Sequence, residues 1–271
     1  MSLTLADAAL RAPDRLVALA AAAIRPLRYV AEGRPPAGPP IAGLRVEVAD
    51  RERALWHGST GVYGFLRLPP GPHRVLVTDP AGRFLPAAFR LTVPDRAALR
   101  ARLERGVAPA AMTPAAPLRE VALHEASGHP RETGVTTLHG LVRDATRGNR
   151  TVPLARIAVT ALVGGALRSV VTFSGPDGSW LLRLPGERPD SIGGDPPWAV
   201  ARALAVRAPV VPLRRALAAD FLAALPEELD TAATGPSWLA RDHNLPSVAA
   251  GTNPPIPFEG GRQLRRDILL V

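Results

Sequence analysis

Gly175-Pro176-Asp177-Gly178-Ser179-Trp180-Leu181-Leu182-Arg183-Leu184-Pro185 is the stretch on which the reading of this chain turns. Its first four residues are turn chemistry, because proline presets φ at an early corner and glycine accepts positive φ at a later one. The next six alternate. Trp180, Leu182 and Leu184 make one face, and Ser179, Leu181 and Arg183 make the other. A period of two with one wholly apolar face describes a strand lying on a core.

The end of that strand has a twin. Leu66-Arg67-Leu68-Pro69 recurs as Leu182-Arg183-Leu184-Pro185, an offset of 116. Upstream, Pro40-Ile41-Ala42 followed by Leu44-Arg45-Val46 parallels Pro153-Leu154-Ala155 followed by Ile157-Ala158-Val159 at an offset of 113. Downstream, Val93-Pro94 with Arg96, Ala98 and Leu99 matches Val211-Pro212 with Arg214, Ala216 and Leu217 at 118. Last, Arg119-Glu120-Val121-Ala122-Leu123 matches Arg266-Asp267-Ile268-Leu269-Leu270 at 147. Four matches in one order, with an offset that only grows, read as two copies of one module. The step from 118 to 147 enlarges the second copy ahead of its last strand.

Around this frame the sequence predicts further strands: Leu44 to Val48, Arg74 to Thr78, Ala88 to Val93, Leu138 to Arg143, Val170 to Phe173 and Ala199 to Val206. Each copy also carries one short helix signal. Asp95 is placed to cap the segment 96–105, and Pro212 to start the segment 213–225. The organisation expected is an N-terminal helical segment over 1–25, a first β-sandwich over 26–123, a linker over 124–136 and a second β-sandwich over 137–271. An inserted loop at about 226–262 belongs to the second. The fold class is mainly β.

Composition agrees. A chain of 271 residues suits two domains, each of about 100 to 150 residues. With 46% hydrophobic but only 4% aromatic residues, the cores must be aliphatic, and 30 prolines with 24 glycines punctuate many short strands. The net charge is +9, carried by 33 arginines and no lysine. That composition is what a GC-rich coding sequence produces, and no basic run interleaved with aromatics accompanies it, so nucleic acid is not the expected partner. With no cysteine, disulfides, thiolate metal sites and cysteine nucleophiles are excluded. The apolar run Leu16 to Ile24 is too short to span a membrane. Asp7 and Asp14 offset Arg11 and Arg15 ahead of it, which argues against a leader peptide. An alanine-rich helix packed on the first module is the expectation. The expected location is the cytoplasm or a particle assembled inside the cell, with export left open.

The order of features in the second copy resembles the carboxypeptidase regulatory-like domain, one of the transthyretin-like sandwiches. The likeness runs through Gly140-Leu141-Val142 with Asp144, then Val152-Pro153-Leu154-Ala155 with Ile157 and Val159. It ends on the Gly175 to Gly186 hairpin. The first copy is a weaker version, in which Thr60-Gly61-Val62-Tyr63-Gly64-Phe65 replaces the Asp-Gly turn. The resemblance implies a rigid spacer or docking platform. Its settings include metallopeptidase appendages, outer-membrane receptors, adhesins and phage-tail-like contractile injection particles. Fold alone assigns none of these.

Two enzyme families share this sandwich. Hydrolases of 5-hydroxyisourate resemble Leu138-His139-Gly140-Leu141-Val142-Arg143-Asp144 but need a C-terminal Tyr-Arg-Gly-Ser, where this chain has Asp267-Ile268-Leu269-Leu270-Val271. Intradiol dioxygenases need two tyrosines and two histidines around iron; Tyr29 and Tyr63 have no paired histidines near them in sequence. His124-Glu125-Ala126-Ser127-Gly128-His129 superficially resembles a zinc-protease helix. Its histidines are five apart, about 500° of helical rotation, so the rings diverge by about 140°. The segment, with His139, reads as an exposed linker rather than a metal site. No glycine-flanked serine elbow and no phosphate loop occur. No catalytic residue, metal, cofactor or small-molecule substrate is expected, and a metal-dependent hydrolase is the weakest alternative.

The insert is where a protein partner is expected. It carries Trp238, Leu239, His243, Asn244, Ile256 and Phe258 among prolines. Such rigid, large side chains form contact hot spots, or else fold back over a sheet edge. The function expected is a non-catalytic structural or adaptor role through contacts with other protein subunits, with a contractile injection particle as the assembly. A carbohydrate-binding or adhesion module is the alternative. Removal of residues 230–261 is expected to leave the fold intact but to abolish assembly.

Overall fold

The computed structural model describes residues 20–48, 51–95, 97, 118–131, 135–163, 166–184, 198–201, 203–209, 221–223, 225–242, 256–259 and 263–271. In the first half the strands are β1 (Ala22–Arg28), β2 (Arg45–Val48), β3 (Glu52–Arg53), β4 (Leu55–His57), β5 (Val62–Phe65), β6 (Gly71–Thr78), β7 (Ala87–Val93) and β8 (Leu118–Leu123). The second half has β9 (Thr136–Asp144), β10 (Arg150–Thr151), β11 (Arg156–Val163), β12 (Ala166–Phe173), β13 (Ser179–Leu184), β14 (Trp198–Ala201) and β15 (Ala203–Pro209). It ends with a short helix α1 (Leu229–Ala232), β16 (Trp238–Arg241), β17 (Ile256–Glu259), β18 (Gln263–Arg265) and β19 (Ile268–Leu270).

Strand pairing repeats between the halves. β1 lies between antiparallel β5 and parallel β8. β9 likewise pairs antiparallel with β13 and parallel with β18 and β19. The other sheets run β3-β2-β6-β7 and β12-β11-β15-β16, the same order in both halves. In the first half the inward residues of both sheets, among them Ile24, Phe65, Val46 and Val75, share one apolar cluster. Leu138, Ile157, Trp180, Val206 and Ile268 share another in the second. Burying a side chain the size of Phe65 or Ile157 stabilises by about 1.5–3 kcal/mol.

The quoted stretch folds as its pattern dictates. Gly178 has φ +79°, the Asp177 carboxylate accepts the Ser179 N–H at 3.0 Å, and Trp180, Leu182 and Leu184 are buried. Its identical partner does not occupy the equivalent place. Tyr63 and Phe65 pair with Ile24 and Ala22, as Trp180 and Leu182 pair with Gly140 and Leu138. Leu66 falls beyond the end of β5 at 44% exposure, whereas Leu182 is 2% exposed. The literal match is out of step with the fold by one residue, and a slip of one exchanges the two faces of a strand.

Three expectations change. The alanine-rich run is strand from Ala22 onward, not helix, because its small side chains let β1 sit between β5 and β8, where pairing on both edges outweighs helix propensity. The insert is not a plain loop. Residues 238–241 form β16, the counterpart of β7, and residues 256–259 form β17, which pairs with β14. The enlargement therefore falls in two places, between β15 and β16 and again between β16 and β18. Position 211 accordingly follows β15, the counterpart of β6, while Val93 ends β7. Of the two helix segments, only residue 97 and residues 221–223 and 225 are described; 97 and 221–223 are helical.

Candidate functional site

The two halves meet along a seam that the linker and the insert build together. Leu85 and Ala88 of the first half share an apolar cluster with Leu154, Val171 and Phe173 of the second, with Phe221 and Leu225 of the 213–225 segment, and with Trp238 of the insert. Trp238, expected to await a partner, is 7% exposed and its indole N–H donates to the Leu154 carbonyl at 3.1 Å. It is a core residue of the seam. The single-sequence signal for this was ambiguous, since a tryptophan on a proline-stiffened segment suits both roles.

Arginines of the first half clamp the start of the insert and the residues just ahead of it. Arg74 Nη2 donates to the carbonyls of Leu222 at 3.3 Å and Leu225 at 2.8 Å. Arg90 pairs with Glu227 at 3.2 Å and Arg119 with Glu228 at 2.6 Å. The Glu228 N–H donates to the Ala88 carbonyl at 3.0 Å. Within the second half, Arg241 of β16 reaches Asp144 at 3.4 Å. Burial raises the Asp144 pKa, but the Thr146 hydroxyl bond and the Arg241 charge outweigh it, so the carboxyl sits below its ordinary value.

In the linker, expected to be exposed, His124, Glu125 and His129 are buried, while Ser127, Gly128, Pro130 and Arg131 face solvent. Leu85 and Ala126 N–H groups bond the carbonyls of His124 and Arg83, pairing 124–126 against 83–85. His124 packs on the rings of Tyr29 and Phe173, and His129 lies edge-on to Phe84. Glu125 is the ionic centre. Arg183 of β13 donates through Nε to Oε2 at 3.0 Å, and Arg28 of β1 places Nε 3.0 Å from Oε1. The ring Nε2 of His129 lies 3.7 Å from Oε1. One carboxylate thus ties a strand from each half. Sequence patterning could not reveal this, because these contacts join residues 28, 125 and 183.

These groups border a cleft of about 770 Å³ whose walls include Tyr29, Phe84, Val171 and Leu182. His139, on β9, has its pKa lowered by burial and by the charges of Arg131 and Arg265. Among the described residues no cluster of three metal-ligating side chains occurs. No described helix is long and apolar enough to cross a membrane.

Of the other predicted partner residues, Leu239 is exposed on β16, opposite Ala208. Phe258 and Ile256 lie on β17, in register with Ala199 and Ala201. His243 and Asn244 lie outside the described residues. For a carbohydrate platform, Trp180 and Trp238 are buried, and Trp56 leans on Tyr63 with ring centres 4.7 Å apart. A second exposed feature is the edge of the first sheet at β4, where Leu55, which sequence reasoning did not single out, and Trp56 face solvent.

No family model and no curated protein matches this chain. Among solved structures it is similar to the TIE protein of Bacillus anthracis at 11% identity, covering 92% of this chain and 34% of that one, with a TM-score of 0.24. A streptococcal ancillary pilin matches at 11% identity over 92% of this chain and 62% of its own, TM-score 0.21. The shaft pilin SpaA of Lactobacillus rhamnosus GG, as a double mutant, matches at 10% identity over 92% and 96%, TM-score 0.20. The chain therefore spans about a third of the first of these proteins and under two thirds of the second. At such scores the likeness carries no argument.

Proposed function

We propose that this chain is a non-catalytic structural or adaptor protein that holds other protein subunits in a larger assembly. Its two halves are read as copies of one transthyretin-like sandwich module joined into one working unit. The seam carries this reading. Contacts between freely moving domains are small and polar. Here Leu85 and Ala88 of the first half are buried with Phe173, Leu225 and Trp238 of the second, and Glu125 fastens β1 to β13. A unit joined in this way holds whatever docks on its outer faces at fixed separation, which is the property an adaptor needs and a catalyst does not.

The assembly we propose is a phage-tail-like contractile injection particle, built inside the cell. The test is recovery of the affinity-tagged chain, expressed at its own locus, followed by mass photometry and protein identification. Co-purification with defined subunits at a fixed ratio is expected, with tail sheath and tube proteins among them. Recovery of the chain alone refutes the adaptor reading; recovery with envelope proteins or bound polysaccharide replaces the particle with an adhesion role.

A further inference from the structure

We propose that the open edge of the first sheet, at Leu55 and Leu66, is the docking surface for an extended, acidic segment of a partner protein. The proposal rests on the adaptor reading and specifies its partner. Single exposed leucines are ordinary on protein surfaces. This site is different in three respects.

The first is concentration. Among the described residues five large hydrophobic side chains are exposed, and two of them, Leu55 at 61% and Leu66 at 44%, lie here. Leu55 and Leu66 line one shallow hollow of about 580 Å³ that ends on Pro69. The second is backbone. β4 is three residues long and among the described residues pairs only with β5, so within them its far side is an open sheet edge. Open edges recruit extended chains, with main-chain bonds supplying affinity and side-chain pockets supplying specificity.

The third is charge. Arg51, Arg53 and Arg67 rim the hollow and are exposed; the carboxylate lining it is Glu52. That carboxylate accepts the N–H groups of Leu66 at 2.8 Å and Arg67 at 3.0 Å, and so shapes the rim. Among the described lining residues, three guanidiniums against one carboxylate leave an excess of two positive charges. This excess selects the occupant. A second copy of the chain would bring two arginine rims together and be repelled, whereas a strand alternating aliphatic with Asp or Glu is attracted on both counts.

The test uses the full chain as bait for a random dodecapeptide library displayed on phage, counter-selected against a Leu55→Asp/Leu66→Asp variant. Enrichment of peptides alternating aliphatic and acidic residues is expected. A synthetic peptide of the enriched sequence should bind at least about tenfold more weakly to Leu55→Asp/Leu66→Asp and to Arg53→Glu/Arg67→Glu. Its affinity should also fall as salt rises. Both variants change exposed side chains, and unchanged melting curves verify their folds. The proposal is overturned when no acidic family emerges, when the peptide binds both variants as well as the parent, or when it binds only after residues 1–19 are removed. Self-association through this edge in sedimentation also overturns it. If the variants still enter their native assembly at the normal ratio, the docking surface fails while the adaptor reading survives.

Discussion

Glu125→Ala is the substitution that probes the junction most directly. Glu125 is 6% exposed, and its two guanidinium partners differ, Arg183 being 14% and Arg28 39% exposed. Removing one member of a buried ion pair costs about 3–5 kcal/mol, because the remaining charge is left in a poorly solvated place. Arg28 is open enough to turn towards water, so the lower end applies and about 3 kcal/mol is expected. Glu125→Leu combined with Arg183→Leu removes both buried charges where Val171 and Leu182 already offer apolar walls. That pair should return to within about 1 kcal/mol of the parent. Guanidinium unfolding followed by tryptophan fluorescence measures this, since Trp238 reports the seam and Trp180 the second core. A cost below about 1 kcal/mol for Glu125→Ala would refute the reasoning. So would a double variant no more stable than the single one.

Other substitutions test other parts of the argument. Trp238→Ala should cost about 3–5 kcal/mol in the same unfolding assay, and Trp238→Phe only about 1–2 by losing the bond to Leu154; a neutral Trp238→Ala would return this residue to the surface. Gly140→Ala should destabilise by about 3 kcal/mol or more, because a Cβ there would lie 2.0 Å from the Arg266 carbonyl oxygen. Asp144 links stability to pH. Its folded pKa is depressed, so its contribution is complete above the unfolded value, about 3.9, and is lost as pH falls through the folded one. Thermal melts from pH 5 down to pH 2 should show a shallower decline for Asp144→Asn than for the parent.

Local pattern carried a great deal of this fold. The Asp-Gly turn and the Trp180, Leu182, Leu184 alternation announce β13, and Val121 with Leu123 against Ile268 with Leu270 announce the closing strand of each half. Turn torsions and period-two burial are properties of a few adjacent residues, so one sequence suffices to read them. The repeat was legible for the same reason. Its register was not: Leu66 and Leu182 sit in identical tetrapeptides, yet cross-strand partners decide which faces inward.

Pairing decided the rest. Ala22 to Arg28 is strand because β5 and β8 flank it, against an alanine-rich composition that favours helix when nothing else competes. Trp238 went to the seam and Leu55 to the surface, although both are large apolar residues that open a short strand. His124, Glu125 and His129 look from sequence like an exposed linker and are buried. The sequence by itself determined many of the strands and turns, such as β13 and the Asp177-Gly178 turn ahead of it. Which apolar side chains are hidden, and which charges meet, only the tertiary structure decided, because burial belongs to contacts between residues such as 28, 125 and 183 that no local window contains together.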